Sequence, residues 1–491
     1  MKDKNKKRIR GFLPFLFVKP IKLLGPDSAL TGFSDTVLAE EETIPGYDAS
    51  KYFDAEPRKT IGPASRYRLL MKFAYTAHSV TWIAQDLQIY RRNRDRLLAV
   101  KIFNNTDADA EQRLEEYISY KNPSDTGRMA IWRCTEKFEV EGPHGNLKHS
   151  CLIYEPMREP MGNLLGRLLN SKPSLELAKG QLIFLLAGLD YLHSQCEIVH
   201  TDFTPSNIYM SFESEAFLLD KVKHGPYNLC MKHKFNDLTG RHVYGCNKFE
   251  SLPMQDENRM RPMIGGFQLA HRLGDGNDPG EYNTRIIQRP AFRAPEVILG
   301  CSWDRKADIW SFGILAWYLI QGTGLFYDLF DDPSPYQLKA HIADMISLLG
   351  PPPGKLLQLS EERAHARWPK PYTDEIGREC WSPWEYFEGP LFDEDGGYVH
   401  ADLIAARSLE DEVTAVEGQE KHDFVDFMRK MLEWDPERRK TARDLIAHPF
   451  LWRGSESGVL PATRFFGGQL PKELAEMAQT FKGQKSQRDL N

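Results

Sequence analysis

The chain has 491 residues, which is enough for two or three structural units around a sizeable core. Hydrophobic residues make up 41% and charged residues 27%, as is ordinary for a soluble globular protein. The net charge of -6 gives no reason to expect nucleic-acid binding, and no apolar run approaches the roughly 18–20 residues of a membrane span. We therefore expect neither nucleic acid nor a membrane as a partner.

Two features bear on where the protein resides. Seven cysteines, from Cys134 to Cys380, are scattered without a CxxC pair, which is typical of reduced thiols in the cytoplasm or nucleus. The first ten residues are basic, and a short apolar run, 11–18, follows them. A signal peptide is disfavoured by Pro14 and by the lack of a small-residue cleavage site, whereas a mitochondrial presequence, a nuclear-import cluster and a disordered extension stay open.

The chain between 67 and 154 is predicted to be mainly β-structure. Its apolar segments are rich in β-branched and aromatic residues, and polar or Gly-Pro turns separate them. One segment, 108–120, has the composition of a helix instead. The predicted strands lie at 80–84, 97–103, 132–140 and 150–154.

From Ser174 onward the apolar residues recur at helical spacing, as in Leu175, Leu182 and Leu189, with Ser174 as the N-cap. A mainly β unit therefore precedes a mainly helical one, and the predicted fold class is α+β. The polar, Gly-rich residues 453–491 are predicted to form a loosely packed C-terminal tail. Further helices are predicted at 308–320, 338–349, 424–434 and 442–448.

The stretch His200–Asn207 (HTDFTPSN) lies between two apolar runs. It resembles the catalytic loop of protein kinases, H-R-D-x-x-x-x-N, with Asp and Asn at the right separation. In that loop the Asp accepts the proton of the substrate hydroxyl, and the Asn holds a metal ion on the nucleotide phosphates. A strand-loop-strand with a chance His and Asp would look the same over eight residues, so the surrounding motifs must decide.

Further kinase-like motifs follow the kinase order along the chain, and this order is stronger evidence than any one of them. An AVK strand motif comes first, a hinge-like segment precedes the catalytic-loop motif, and three structural motifs come after it. They stand at 99–101 (AVK), 151–160 (CLIYEPMREP), 292–296 (FRAPE), 308–313 (DIWSFG) and 434–439 (WDPERR).

Thr201 stands where most kinases have Arg. Together with 42–47 (ETIPGY), 151–160 and 341–350 (HIADMISLLG), it makes residues 40–452 resemble the SR-protein kinases, specifically the fungal SR-protein-kinase-like proteins. The resemblance implies a bilobal protein kinase fold with a small β-rich N-lobe and a large helical C-lobe. It also implies a serine/threonine protein kinase that uses Mg-ATP on arginine/serine-rich proteins, and we expect a monomer.

The resemblance also implies the domain boundaries and the roles of single residues. The expected division is an extension at 1–45, the N-lobe with its lead-in at 46–157, the C-lobe at 158–452 with an insert at about 211–262, and the tail at 453–491. Asp202 is the expected catalytic base. The expected nucleotide-binding residues are Lys101, Glu115 as its ion-pair partner (with Glu116 as the alternative), Glu155, Met157 and Asn207, of which Asn207 also holds the metal. The expected structural residues are Glu296 and Arg439, as a buried ion pair, and Asp308, which holds the catalytic loop from below.

Thr201 has a regulatory consequence. The Arg usually found there binds a phosphate on the activation loop and makes activity depend on phosphorylation. Without it no such switch is needed, and the segment 271–290 accordingly contains a single Ser or Thr, Thr284.

Three departures from the kinase pattern fall on the nucleotide site. The glycine-rich turn over the phosphates aligns with 73–79 (FAYTAHS), which lacks its glycines and therefore cannot approach phosphate as closely. Thr204 replaces the Lys that neutralises the transferring phosphoryl group. Gly266 replaces the Asp of Asp-Phe-Gly, the main protein ligand of Mg²⁺. A rescue of the metal site by Asp275 or Asp278 stays open.

The substrate side departs from the family as well. SR-protein kinases carry acidic docking residues on the helix that matches 341–350, and the corresponding positions here look like Ala340 and Ser347. Other carboxylates, Asp344, Asp331 and Asp332, lie nearby.

Three functions compete. An active serine/threonine kinase would use Asp202 as base, and a pseudokinase would use the same fold as a binding or regulatory module. A small-molecule phosphotransferase is disfavoured, because the 292–296 and 308–313 motifs build a peptide-substrate platform. The kinase residues that are missing here are those that contact phosphate and metal, whereas the motifs with structural roles are present. We therefore favour the pseudokinase, with ATP as ligand and a doubtful Mg²⁺ site.

Overall fold

The computed structural model describes residues 38–44, 46–88, 96–104, 109–142, 148–167, 173–224, 233–236, 241–246, 259–273, 284–326, 337–374, 376–453 and 461–479. The basic N-terminal segment and the four loop carboxylates Asp275, Asp278, Asp331 and Asp332 lie outside these residues. The chain divides into two compact units. The first comprises 1–110, 134–157 and 214–251, and the second comprises 111–133, 158–213 and 252–491.

The first unit is built on a six-stranded antiparallel sheet with the strand order β1-β2-β3-β4-β6-β5. The strand predicted at 97–103 is confirmed as β4, and the one predicted at 132–140 begins only at Glu136. The unit also contains helix α4 and the insert hairpin, formed by β10 and β11. The bounds are β1 Thr60–Ile61, β2 Tyr67–Tyr75, β3 Ser79–Asp86, β4 Leu97–Phe103, β5 Glu136–Glu141, β6 Lys148–Tyr154, α4 Glu215–His224, β10 His233–Asn236 and β11 Arg241–Tyr244.

A buried charge cluster joins the insert hairpin and the short helical turn Glu40–Thr43, which lies in the predicted extension at 1–45, to this sheet. The Glu41 carboxylate pairs with Lys72 of β2 and with Arg241 of the insert hairpin, whose Nη2 lies 3.0 Å from Oε1. Glu42 pairs with Lys234 at 2.6 Å. All five side chains are at least nine-tenths buried, so each charge depends on its partner for solvation. The predicted insert at 211–262 is thus divided, because 214–251 belongs to the first unit.

The second unit is mainly helical. Helices α3 and α6 are buried along almost their whole length, and Ser174 caps α3 by accepting a hydrogen bond from Leu177 N at 3.3 Å. Its helices are α1 Asp109–Tyr120, α2 Met161–Arg167, α3 Leu175–Asp190, α5 Pro295–Ile298, α6 Lys306–Gln321, α7 Leu338–Leu349, α8 Gly354–Arg363, α9 Pro383–Tyr386, α10 Leu409–Glu412, α11 Gly418–Arg429, α12 Ala442–Ile446 and α13 Pro449–Trp452. Among the helices described, none is long and apolar enough to cross a membrane.

Two sequence predictions for this unit were wrong. The helix predicted at 424–434 is α11, which ends at Arg429; Met431, Leu432 and Trp434 continue the apolar pattern because they are buried in the turns that follow. The tail packs more closely than predicted. Phe465 and Phe466 are buried against Phe184 of α3, with ring centroids 5.5 and 5.1 Å apart.

Short strands position the loop 200–207. Strand β8 ends just before it and pairs with β13, while β9 follows it and pairs with β12. Strand β7 completes the β12-β9-β7 sheet. The loop is therefore held at both ends against the segment 262–272. The strand bounds are β7 Met157–Pro160, β8 Ile198–Val199, β9 Ile208–Ser211, β12 Pro262–Ile264 and β13 His271–Arg272, with β14 Tyr372–Thr373 and β15 Glu379–Cys380 elsewhere in the unit.

Removing the centre of the charge cluster should destabilise the first unit. We expect Glu41→Ala to lower the free energy of unfolding by about 3–5 kcal/mol, because the buried Lys72 and Arg241 both lose the carboxylate with which they pair. The matched control is Glu139→Ala, which removes the exposed Glu139–Lys148 pair of the same sheet and should cost about 0–1 kcal/mol. Urea unfolding measures both, and equal losses would contradict the buried-cluster account.

Candidate active site

The Asp308 carboxylate fixes the start of the loop 200–207. It is fully buried and accepts hydrogen bonds from His200 N at 2.7 Å and Thr201 N at 2.9 Å. His193 Nε2 lies 2.9 Å from the same carboxylate. Asp308 therefore lies where a residue that orients this loop must lie, and it is supplied by the first turn of α6.

Thr201 adopts a strained conformation. Its φ of +65° is in the left-handed region, where a β-branched residue costs about 1–3 kcal/mol. The surrounding bonds hold it there, because its N–H is bound to Asp308 and its Oγ1 donates to Leu269 O at 2.7 Å. The Thr201 hydroxyl, at the position where most kinases have Arg, thus forms a hydrogen bond within the protein and stabilises the loop.

His200 joins the loop to the segment that carries Gly266. Its Nδ1 accepts from Asp202 N at 3.3 Å, so its proton resides on Nε2, which donates to Gly265 O at 2.8 Å. The ring also packs against Phe267, with centroids 5.3 Å apart.

Asp202, the predicted base, uses its two carboxylate oxygens differently. Oδ2 accepts a hydrogen bond from Asn207 Nδ2 at 2.7 Å, and the same amide also donates to Asp202 O at 2.9 Å. Oδ1 is buried and accepts no hydrogen bond within the described residues, although Arg289 Nε lies 3.5 Å from it. One oxygen is therefore held, and the other is available as an acceptor.

Gly266 lies directly against Asn207. It has φ +73° and ψ 47°, a left-handed conformation that glycine adopts without penalty. A Cβ placed on Gly266 would be 2.8 Å from Asn207 Cβ and would collide with Asn207 Oδ1. The Asn207 side chain thus occupies the space that the Cβ of an Asp at position 266 would need.

These residues do not fit Mg²⁺. The ion prefers carboxylate oxygens in a near-octahedral set. Gly266 offers no side-chain oxygen, so of the two expected side-chain ligands only the Asn207 amide oxygen remains, and the nearby carboxylate of Asp202 is bonded by Asn207 and faced by Arg289. Among the described residues, no group of three or more His, Cys, Asp or Glu side chains could hold a metal ion.

Thr204 and Arg289 change the charge pattern around Asp202. Thr204 is 1% exposed, and its Oγ1 has no hydrogen-bond partner within the described residues. The positive charge at Asp202 comes instead from Arg289. The sequence analysis missed Arg289, and its only signal was its place just before Pro290 and the 292–296 motif.

The turn 76–78, which aligns with the glycine-rich loop, is closed on itself. Thr76 N donates to Ser79 O at 2.8 Å, and His78 N donates to Thr76 Oγ1 at 3.2 Å. Ala77 O accepts from Tyr52 Oη and from Asn104 Nδ2, at 3.1 and 2.7 Å. Two amides that could face phosphate are therefore used within the turn.

The remaining predicted nucleotide residues lie on regular elements or beside them. Lys101 is a buried residue of β4, paired in register with Thr81 and Leu152. Glu115 is buried in α1, most of which belongs to the second unit, whereas Lys101 belongs to the first. The predicted pairing of Glu115 with Lys101 therefore stays a prediction. Glu155 is exposed and Met157 is buried, in the segment joining β6 to β7.

The predicted structural pair is brought together. Arg439 donates from Nη1 and Nη2 to the two oxygens of Glu296, at 2.7 and 2.6 Å. Both side chains are fully buried, so this bidentate pair is a strong one. It joins α5 to the 434–439 motif.

Helix α7 carries no free acidic docking residue within the described chain. Ser347 Oγ donates to Ala343 O at 2.8 Å, as in many helices. Asp344 pairs with Arg407 at 2.9 Å. Burial raises the pKa of Asp344, and the Arg407 guanidinium opposes that rise.

Comparisons with known proteins agree with this architecture. A model of the protein kinase domain matches residues 252–451. A serine/threonine protein kinase of Aspergillus fumigatus is 30% identical over 419 residues, covering 84% of this chain and 91% of that protein. The serine/threonine-protein kinase SRPK of Physarum polycephalum is 27% identical over 424 residues, covering 79% and 86%. The crystal structure of a kinase domain, at 21% identity, superposes with a TM-score of 0.53 over 82% of this chain and 100% of its own, which shows the fold.

A side chain at Gly266 should be costly because of Asn207. We expect Gly266→Ala to destabilise the natural chain by about 1–3 kcal/mol more than it destabilises the Asn207→Ala variant, which lacks Asn207 Oδ1 and Cγ. The comparison controls for backbone strain at position 266, because the same substitution is made in both chains. Urea unfolding measures these free energies, and equal effects of Gly266→Ala in the two chains would contradict the close contact.

Proposed function

The chain belongs to the fungal SR-protein-kinase-like family of protein kinases, and we propose that it is a nucleotide-binding pseudokinase with a binding or regulatory role. The family implies ATP as the substrate and, usually, Mg²⁺ as its companion ion. The residues at 204 and 266 and the turn 76–78 depart from what phosphoryl transfer needs.

The observation that carries the proposal is the contact of Gly266 with Asn207. A carboxylate at 266 would require the Asn207 side chain to move, since that side chain occupies the space beside Gly266. That amide is in turn committed to Asp202 through two hydrogen bonds. A site without its main metal ligand should transfer phosphate more slowly by orders of magnitude.

Nucleotide binding is the part of the kinase function that the remaining residues still support. Lys101 would contact the α- and β-phosphates, and Asn207 would stay as a polar group at the phosphates. Glu155 and Met157 would contact the adenine through the chain segment that joins β6 to β7. The closed turn 76–78 would contribute less than a glycine-rich loop, because two of its amides are already bonded.

An active serine/threonine kinase is the second candidate, and one observation favours it. Asp202 Oδ1 is buried, accepts no hydrogen bond from the described residues, and is therefore an available acceptor for a substrate hydroxyl proton. His200 and Asn207 hold Asp202 in place, as a base requires.

The partner of a pseudokinase of this family would be a protein. An arginine/serine-rich partner is the family expectation, but α7 offers it little. Positions 340 and 347 are Ala and Ser, and the Asp344 carboxylate is already paired with Arg407. We propose a location in the cytoplasm, the nucleus or both.

A thermal-shift titration of the full chain with ATP, with and without Mg²⁺, tests the proposal. ATP at 100 times its Kd should stabilise the protein by about 2.7 kcal/mol, and the account expects this in EDTA as well as in Mg²⁺. Stabilisation that requires Mg²⁺ would favour the active kinase. No shift under either condition would contradict nucleotide binding and leave a scaffold.

A further inference from the structure

We propose that Arg289 contacts the terminal phosphate of a bound nucleoside triphosphate and supplies there the positive charge that Thr204 lacks. The inference rests on the proposed function, because it assumes that ATP binds. It adds a residue that lies outside the kinase motifs recognised in the sequence.

The first step is the position of Arg289 relative to Asp202. In the kinase arrangement the base lies at the hydroxyl that attacks the terminal phosphorus, so a cation beside the base is also beside that phosphate. Arg289 Nε is 3.5 Å from Asp202 Oδ1. No other ion pair of Asp202 is found within the described residues.

The second step is that the chain holds this arginine in place. Gln288 N donates to Thr201 O at 2.9 Å, which ties the segment to the loop 200–207. The Gln288 amide donates to Ala307 O and Ser311 Oγ, both at 2.9 Å, and accepts from Ala294 N at 2.8 Å. These bonds maintain a left-handed φ of +64° at Gln288.

A strained backbone conformation persists only where the surrounding structure holds it, as these hydrogen bonds hold Gln288. Arg289 follows directly in the chain, so the same bonds fix where its backbone begins. Pro290 restricts Arg289 to the extended region, where it is found with φ −67° and ψ 147°. The backbone of Arg289 is therefore fixed from both sides, and only its side chain is adjustable.

The third step is that the site has unsatisfied polar atoms. Asp202 Oδ1 and Thr204 Oγ1 are both buried and lack hydrogen-bond partners within the described chain, and their residues are 8% and 1% exposed. The Arg289 side chain is 55% exposed, and its guanidinium donates no hydrogen bond to any described residue. The acceptor Oδ1 of Asp202 and a guanidinium with open donors thus lie together, and the Thr204 hydroxyl follows two residues later in the same loop.

The fourth step is electrostatic. A phosphate next to the Asp202 carboxylate is repelled unless a cation offsets the charge, and the residues here do not fit Mg²⁺. A guanidinium binds phosphate oxygens through parallel N–H donors without any metal. Arg289 is the described cation that is close enough to Asp202 to do this.

The experiment measures ATP and ADP affinity in EDTA by calorimetry, for the full chain. We expect Arg289→Ala to weaken ATP about tenfold and to leave ADP unchanged, because only ATP has the terminal phosphate. Arg289→Lys should retain most of the ATP affinity. Thr204→Lys, added to Arg289→Ala, should restore ATP affinity by returning the charge from the other side.

Arg443→Ala is the matched control. Arg443 is 56% exposed and pairs with Asp190 at 3.0 Å and Glu473 at 3.8 Å, and it belongs to α12 rather than to the loop 200–207 or the segment that carries Arg289. It should change neither affinity.

Three outcomes would overturn the inference. They are equal weakening of ATP and ADP by Arg289→Ala, no weakening of either, and tighter ATP binding, which would mean that Arg289 only neutralises Asp202. Absence of ATP binding by the unmodified protein would instead remove the proposed function, and this inference with it.

Discussion

The buried carboxylate of Asp308 is the constraint on which the candidate site depends. It holds two consecutive amides, those of His200 and Thr201, and forces Thr201 into a left-handed conformation. A carboxylate buried this deeply is stable only with several donors, and the loop supplies them. The shape of the loop therefore comes from the fold of the helical unit and does not require a nucleotide.

This dependence on Asp308 explains how a kinase domain can keep its fold while it loses residues that phosphoryl transfer requires. Asp308 and the Glu296–Arg439 pair are satisfied within the protein, so losing any of them would destabilise the second unit. In the kinase pattern, positions 204 and 266 serve the nucleotide and its metal ion instead. Gly266 now relies on being glycine, because the Asn207 side chain occupies the space next to it.

Sequence patterns predicted correctly the features that depend on residues close together in the chain, such as single helices and strands. Helix α7 has the predicted bounds because its apolar residues recur at helical spacing, and β4 does because it is a nearly continuous apolar, β-branched run. The motif spacing identified Asp202 and Asn207, which the structure joins by a hydrogen bond. The protein kinase fold, with its α+β class, is also confirmed.

The rest could not be predicted, because it depends on contacts between distant residues. Glu41 and Arg241 are 200 positions apart, and nothing local in either segment indicates their pairing. Arg289 is close to Asp202 because of the hydrogen bonds of Gln288, which sequence spacing does not reveal. The buried Phe465 and Phe466 lie in a polar, Gly-rich stretch whose composition is typical of a loose tail.

The central claim is that this domain keeps the kinase framework without effective phosphoryl transfer. The most direct test is transfer from labelled ATP to a panel of protein substrates in Mg²⁺, comparing the unmodified chain with Asp202→Asn. The account predicts that both show the same background rate. A clear Mg²⁺-dependent transfer that is lost in Asp202→Asn would contradict it and establish an active kinase.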